Sequence, residues 1–335
     1  MRPSFHPRLI NRPNDDPGLL IPFLFENRAV IFDLGDNHFL PSKDLLKISH
    51  AFVSHTHMDH FIGFDRLLRL LLGRDRSLSL FGPQGFIKNV EGKLAGYTWN
   101  LVRNYDYPLR LHVSEIHEQS IVCRQYRCRD GFSPVHDPIR KPYNGVLYEE
   151  PAFTVSAAIL DHSIPCLGLS IKERFHVNIF KTGLQTLGLE PGPWLAKFKQ
   201  ALYRQASPDA KFEVQFDPKE NGRRFVLGEL ADKIARITPG QKISYITDVV
   251  DSEFNRKRIV EFVKDSDHLF IEAAFLDKHR DVAQRKSHLT ARQAGLLAAL
   301  ARVKHFTVFH FSPRYTGQEQ QLIEEASAAY EDAIK

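Results

Sequence analysis

The sequence predicts an α/β fold in which layered β-sheets are covered by helices. Three observations carry that expectation. Short β-branched, aromatic or alternating runs recur along the chain, among them "LRLHVSEI", "FTVSAAILDH" and "HFTVFHF". Stretches with leucine or alanine at helical spacing stand between several of them, such as "GFDRLLRLLLGR" and "TARQAGLLAALARV". From "KISYITDVVD" onward, strand-like and helix-like segments alternate to the end of the chain.

Taken in order, residues 19–36 hold apolar runs around a short polar break and predict a hairpin. Residues 48–57 predict a buried strand that runs into a histidine cluster, and 63–74 a helix closed by glycine. Residues 78–97 predict a strand, a Gly-Pro turn and a helix. The middle third is strand-rich. Between 176 and 224 the pattern loosens, leaving a turn and a basic helix in "GLEPGPWLAKFKQALYRQ". Strands at "KISYITDVVD", "HLFIEAAF" and "HFTVFHF" then alternate with helices, the last of them the acidic "QEQQLIEEASAAYEDAIK". There is no internal repeat and no low-complexity segment.

Composition agrees with a folded domain: 335 residues, 43% hydrophobic and 25% charged. No run approaches the ~18 apolar residues that span a bilayer, and the first residues lack the apolar stretch of a secretory signal. A membrane is not expected. Cys123, Cys128 and Cys166 are too few for a disulfide framework and stand outside CxxC spacing, so a reducing cytoplasm is expected. A formal charge of +5 permits an anionic partner without demanding one.

Sixteen histidines are the unusual feature. "SHTHMDH" places His55, His57, Asp59 and His60 at the end of an apolar run. A strand continuing to His57 would set His55 and His57 on one face, since strand side chains alternate. Asp59 and His60 follow where the chain turns toward a helix. Imidazole and carboxylate together suit zinc, and also iron or manganese. Further ligands have to come from other strand ends, and His162, Asp248 and His310 each close an apolar run. The set predicts a binuclear metal centre. Taken singly, each of the three also reads as a turn cap.

The HxHxDH motif, a histidine about a hundred residues on, then aspartate, then histidine, resembles the metallo-β-lactamase superfamily. Within it, "VSHTHMDHFIG", "LDHSIPCLG", "IEAAF", "SHLTARQAG" and "FHFSPRY" resemble ribonuclease Z, the endonuclease that trims the 3′ end of precursor tRNA. The resemblance implies an αββα sandwich, two mixed β-sheets flanked by helices, over residues 1–335. It implies that His55, His57 and His162 hold one divalent ion, most simply zinc, that Asp59, His60 and His310 hold another, and that Asp248 bridges. Asp33 would support the ligands from behind. Two ions ~3.5–4 Å apart lower the pKa of a water between them and neutralise a phosphate. Asp59 would take the water's proton, and His288, oriented by Glu272, would protonate the leaving oxygen. Ser312, Arg314 and Tyr315 would contact phosphate. The family carries an RNA-gripping arm, and the insert around 176–224, with Lys197, Lys199, Arg204, Trp194 and Tyr203, is its candidate here. A homodimer fits the family and the exposed helices.

Departures are also evident. "FDLGDNHF" lacks the family's Gly-Thr-Gln, "ITDVVD" replaces Gly-Asp-Thr, "HLT" replaces His-Ser-Thr, and Ala274 stands where threonine is frequent. Two other functions therefore stay open: hydrolysis of a small substrate (a cyclic nucleotide, another phosphodiester, an ester or a thioester), and RNA binding without catalysis.

Overall fold

A hairpin opens the first sheet. Leu19–Pro22 and Ala29–Phe32 pair antiparallel, Leu19 opposite Phe32, as the apolar runs around a polar break require. The computed structural model describes residues 5–24, 26–215 and 222–335, so Phe25 and residues 216–221 of the expected insert lie outside the described residues. The sheet has eight strands in the order Arg8–Leu9, Leu19–Pro22, Ala29–Phe32, Ile48–Phe52, Ser77–Pro83, Arg110–Ile116, Ser120–Arg127 and Ile139–Pro142. Its central pairings are parallel and its outer ones antiparallel. Parallel neighbours need crossover segments, and helices Phe64–Leu71 and Phe86–Ala95 lie in two of them. Both edges are blunted. One edge strand has two residues. At the other, every residue of Ile139–Pro142 is exposed, and Pro138 and Pro142 bracket it.

Alternation along the strands builds two cores. Ile31, Ala51 and Leu80 face outward and pack with Leu67, Leu71, Val90 and Leu94 of those helices. Their chain neighbours Phe32 and Phe52 face the other way, ring against ring at 5.7 Å. There Phe32 meets Tyr245 of the second sheet at 6.0 Å, and Tyr245 stacks on Phe309 at 5.1 Å. The second sheet has six strands in the order Phe306–Phe309, His268–Glu272, Lys242–Ile246, Pro165–Glu173, Phe153–Asp161 and Val146–Glu149. Its far face carries Ile246, Ile271 and Val308, which pack with Ile259, Val263, Leu297 and Ala326 of helices Glu253–Val263, Ala291–Leu300 and Glu319–Ile334. Helix, sheet, sheet, helix is the expected αββα layering. Among the described residues no helix is long and apolar enough to cross a membrane.

Phe5–Leu147, Ser156–Ser170 and Lys242–Lys335 form the larger of two compact units, while Tyr148–Val155 and Ile171–Gln241 belong to the smaller. The smaller has its own core of Leu184, Trp194, Phe198, Leu227, Leu230 and Ile234. Phe175–Ile179 pairs antiparallel with Ala235–Pro239, and Lys211–Val214 with Arg223–Val226. These elements run only four to ten residues, too short for a periodicity to stand out in sequence.

The two outer helices of the second layer touch through backbone. A Cβ added at Gly295 would lie 2.1 Å from the carbonyl oxygen of Ala326. In an exposed helix, Gly→Ala gains about 1 kcal/mol; here the clash outweighs it. We expect Gly295→Ala to destabilise the protein by about 1–3 kcal/mol, read as a lower urea midpoint at unchanged slope.

Candidate metal centre

Strand ends supply almost every polar group of the site. Asp33 follows Ala29–Phe32, Asp248 follows Lys242–Ile246 closely, and His310 follows Phe306–Phe309. The strand Ile48–Phe52 stops three residues before His55, so the strand alternation expected for His55 and His57 does not operate. They are set instead by a loop, and their rings still meet at 4.4 Å. The loop's end is clamped from behind: His60 C=O accepts from Leu34 N–H at 2.9 Å, and Leu34 C=O accepts from Gly63 N–H at 2.8 Å. Asp33, Asp248 and His310 all adopt left-handed backbone, at φ 57°, 42° and 60°. Each such residue costs of order 1–2 kcal/mol, a strain typical of functional sites.

The seven residues expected as ligands lie together. His55, His57, His162 and Asp248 bring ligand atoms within 4.8 Å of one another, as do Asp59, His60 and His310. Asp248 Oδ2 is 3.6 Å from His55 Nε2, 3.3 Å from His60 Nε2 and 3.5 Å from His162 Nε2. Its Oδ1 is 2.9 Å from His310 Nε2. Asp59 Oδ2 lies 3.5 Å from His60 Nε2 and 3.7 Å from His310 Nε2. One aspartate therefore stands between two groups of imidazoles.

The residues fit a metal. The Nε2 atoms of His55 and His60 are buried with no hydrogen-bond partner, a costly state unless something electrophilic meets them. Their Nδ1 atoms are committed elsewhere. His60 Nδ1 faces Asp33 Oδ2 at 2.9 Å, His55 Nδ1 faces Ser54 Oγ at 3.1 Å, and His162 Nδ1 donates to Ser287 C=O at 2.8 Å. That pattern orients the free nitrogen of each ring toward the shared space, as metal sites require. Asp33 is fully buried and accepts from Ser54 N–H at 2.6 Å, Ser54 Oγ at 2.8 Å and Tyr245 O–H at 3.0 Å. Ser54 and Tyr245 escaped the sequence reading. Tyr245 sits in an apolar strand and reads locally as core.

Charge follows burial and neighbours. Burial, with His60 beside it, drives His55 down to about 2. Burial would also lower His60, but the Asp248 and Asp33 carboxylates outweigh it and hold His60 well above the usual imidazole range. Burial would raise Asp248, yet His310 and His60 hold it well below the carboxylate range. Asp59 is likewise held at about 2, burial being overcome by His60.

His288 stands beside this cluster, with its Nδ1 3.0 Å from Glu272 Oε2 and 4.0 Å from Asp248 Oδ1. Burial would lower it, but Glu272 raises it to about 9, above the neutral value expected from sequence. The phosphate contacts expected after His310 divide. Ser312 is half-buried, and the exposed Arg314 lies over the Phe275 ring at 5.2 Å. Tyr315 is 3% exposed, and its hydroxyl is taken by Leu276 N–H at 3.2 Å and His279 Nδ1 at 2.6 Å. It anchors the loop and has no hydroxyl to spare for phosphate. In the smaller unit Trp194 is buried and donates to Glu190 C=O, and Tyr203 packs on Phe175, whereas Lys197 and Arg204 are exposed. Trp194 is therefore core and not a stacking surface.

No protein-family model matches the chain. Over 293 residues it is 30% identical to ribonuclease Z of Deinococcus radiodurans, covering 87% of this chain and 84% of the relative. It is 27% identical to ribonuclease Z of Nanoarchaeum equitans, covering 88% and 77%. Among solved structures, the short form of human tRNase Z matches with TM-score 0.51 at 17% identity, over 92% of this chain and 93% of that one. The metallo-β-lactamase-fold protein YhfI of Bacillus subtilis matches with TM-score 0.50 at 13% identity, over 95% and 86%. These structural likenesses establish the fold.

Removing one donor tests the support behind His60. Tyr245→Phe takes a hydroxyl from the buried Asp33 carboxylate. We expect it to cost about 1.5–3 kcal/mol, measured as the loss in urea stability of the chelator-treated protein.

Proposed function

The chain belongs to the ribonuclease Z family, and on that premise we propose that it is a metal-dependent phosphodiesterase that cuts RNA, at the 3′ ends of tRNA precursors. The observation that carries the reading is the buried Asp248 carboxylate shared by imidazoles, two of which present partnerless Nε2 atoms. His55, His57 and His162 would hold one cation, Asp59, His60 and His310 the other, and Asp248 both. A pair of divalent ions supplies a lowered water pKa and neutralisation of the phosphate.

The chain's own residues do the rest. Asp59, whose Oδ2 lies 3.5 Å from His60 Nε2 and 3.7 Å from His310 Nε2, would take the proton of the attacking water. His288, held protonated by Glu272, donates to the leaving sugar oxygen. Ser312 and Arg314 follow His310 directly and contact phosphate. Lys197 on helix Trp194–Tyr203 of the smaller unit, and Arg204 at its C-terminal end, meet the RNA backbone. Zinc is the ion the imidazole-rich donor set favours. The reading extends to a homodimer, for sedimentation to test, and to the cytoplasm, in keeping with three free cysteines.

A second reading, turnover of a small phosphodiester by the same cluster, is favoured by "DNHF" standing where the family carries Gly-Thr-Gln. One incubation separates the two. Zinc-loaded protein given a 3′-extended tRNA is expected to release the trailer and leave a 3′-hydroxyl, an activity abolished by chelator. Turnover of bis(p-nitrophenyl) phosphate with the tRNA left intact would favour the second reading. His288→Ala is expected to slow RNA cleavage roughly 10²–10⁴-fold with metal content unchanged; loss of metal from that variant would reject the acid role.

A further inference from the structure

Gln293 lies in the first turn of helix Ala291–Leu300, five residues after His288, and is 5% exposed. Both ends of its amide are engaged. Oε1 accepts the backbone N–H of Thr290 at 2.7 Å, and Nε2 donates to Asp251 Oδ2. Thr290 returns the first bond, its hydroxyl accepting Gln293 N–H at 3.3 Å. That exchange is a capping box, complete in itself. Capping does not explain the bond to Asp251. Asp251 is three residues beyond Asp248, its side chain is 6% exposed, and Arg256 holds it from the solvent side.

Gln293 therefore joins the segment that carries Asp248 to the segment that carries His288. Glu272 makes a parallel bridge: Oε1 accepts Val249 N–H at 2.8 Å, and Oε2 meets His288 Nδ1 at 3.0 Å. Glu272 fixes one atom of the imidazole, and backbone bonds from His288 N–H to Ala283 C=O at 2.9 Å and from Ala291 N–H to Phe275 C=O at 2.7 Å hold the stretch to its neighbours. The Gln293 tie, two residues on at Thr290, adds a link from that stretch to the segment of Asp248. From the other side, Ser287 is held by His162 Nδ1 at its carbonyl and by Ser163 Oγ, 2.7 Å from its own hydroxyl. Hydrogen bonds to a charged group, out of water, are the strong ones, so the Gln293–Asp251 bond is suited to hold a position.

We propose that Gln293 is a positioning residue for His288, acting through Asp251 to keep the imidazole in line with the departing oxygen. This rests on the general-acid reading of His288 above. The two fail by different measurements, because the reaction can be run with a leaving group that needs no proton. A p-nitrophenolate departs unaided, whereas a sugar oxygen does not.

Gln293→Met keeps the length and removes both amide bonds. Its kcat on 3′-extended tRNA is expected to fall roughly ten- to a hundredfold. KM, zinc content and turnover of bis(p-nitrophenyl) phosphate should change by no more than about twofold. Gln293→Glu retains the acceptor for Thr290 but sets a carboxylate against Asp251, and should lose RNA cleavage similarly. Combining it with Asp251→Asn exchanges donor and acceptor across the same gap and should recover most of the loss. This exchange pair also carries the test should circular dichroism find the Met variant unfolded. Equal losses on both substrates, no loss on RNA, or no recovery in the exchange pair would overturn the proposal. If His288→Ala itself slows both substrates alike, the acid reading fails first and the tether loses its purpose with it.

Discussion

One buried carboxylate organises this protein. Asp248 sits 2.9–3.6 Å from the Nε2 atoms of His55, His60, His162 and His310, drawn from three separate segments of the chain. A lone ionised carboxylate at that depth would be prohibitively costly, so positive charge has to be present somewhere around it. The Asp248 and Asp33 carboxylates accordingly raise His60 well above the usual imidazole range. The parts around the site serve this arrangement. The sheets deliver their ends to one place, left-handed backbone at positions 33, 248 and 310 turns the side chains inward, and Asp33 steadies His60 from the rear. Strain and desolvation are both concentrated there, over the rings that bind the two sheets together.

Much of this was legible before any coordinates. The hairpin at 19–36, the helices at 63–74 and 291–300 and the terminal alternation follow from periodicity, because long apolar patterns are set by which face is buried. The seven candidate ligands were legible because polar residues at the ends of apolar runs are anomalous there. What stayed hidden depends on contacts distant in sequence. Tyr245 lies 212 positions from Asp33, and no local pattern marks a core tyrosine as a donor. The same limit hid Ser54, a small residue inside an apolar stretch. Strand alternation for His55 and His57 was the right destination by a mistaken route: the strand ends at Phe52, and a loop does the placing. Tyr315 was misread for the opposite reason, since proximity in sequence to His310 says nothing of a hydroxyl already spent on Leu276 and His279.

The departures from the family pattern acquire a physical reading. In the loop after Asp33, Asn37 is 1% exposed, and its amide donates to Gly63 C=O at 2.9 Å while Arg66 bonds to its backbone carbonyl. A Cβ at Gly63 would come within 2.2 Å of Gly35 C=O, so the two loops are in backbone contact and leave no room for larger residues. This chain has built its own brace in the "GDNHF" stretch, behind the histidine loop. Ala274 is 3% exposed and uses its carbonyl to accept Ser312 N–H at 3.0 Å, a bond that any side chain at 274 would leave intact. These two stretches lie behind the site, whereas Thr247, where the family has glycine, reaches it and donates its hydroxyl to Asp248 Oδ1 at 2.9 Å.

The margins of the eight-stranded sheet carry a different consequence. A row of unsatisfied amides along an outer strand is an invitation to polymerise, and a protein produced in quantity meets that hazard in every encounter with its own copies. Proline at 138 and 142 deletes amide donors along one border, while Arg140 and Lys141 add mutual repulsion. The opposite border offers two residues, too short a template for a foreign strand to read. Both margins of this sheet thus offer an incoming strand few backbone groups to bond, which works against its serving as a template for growth.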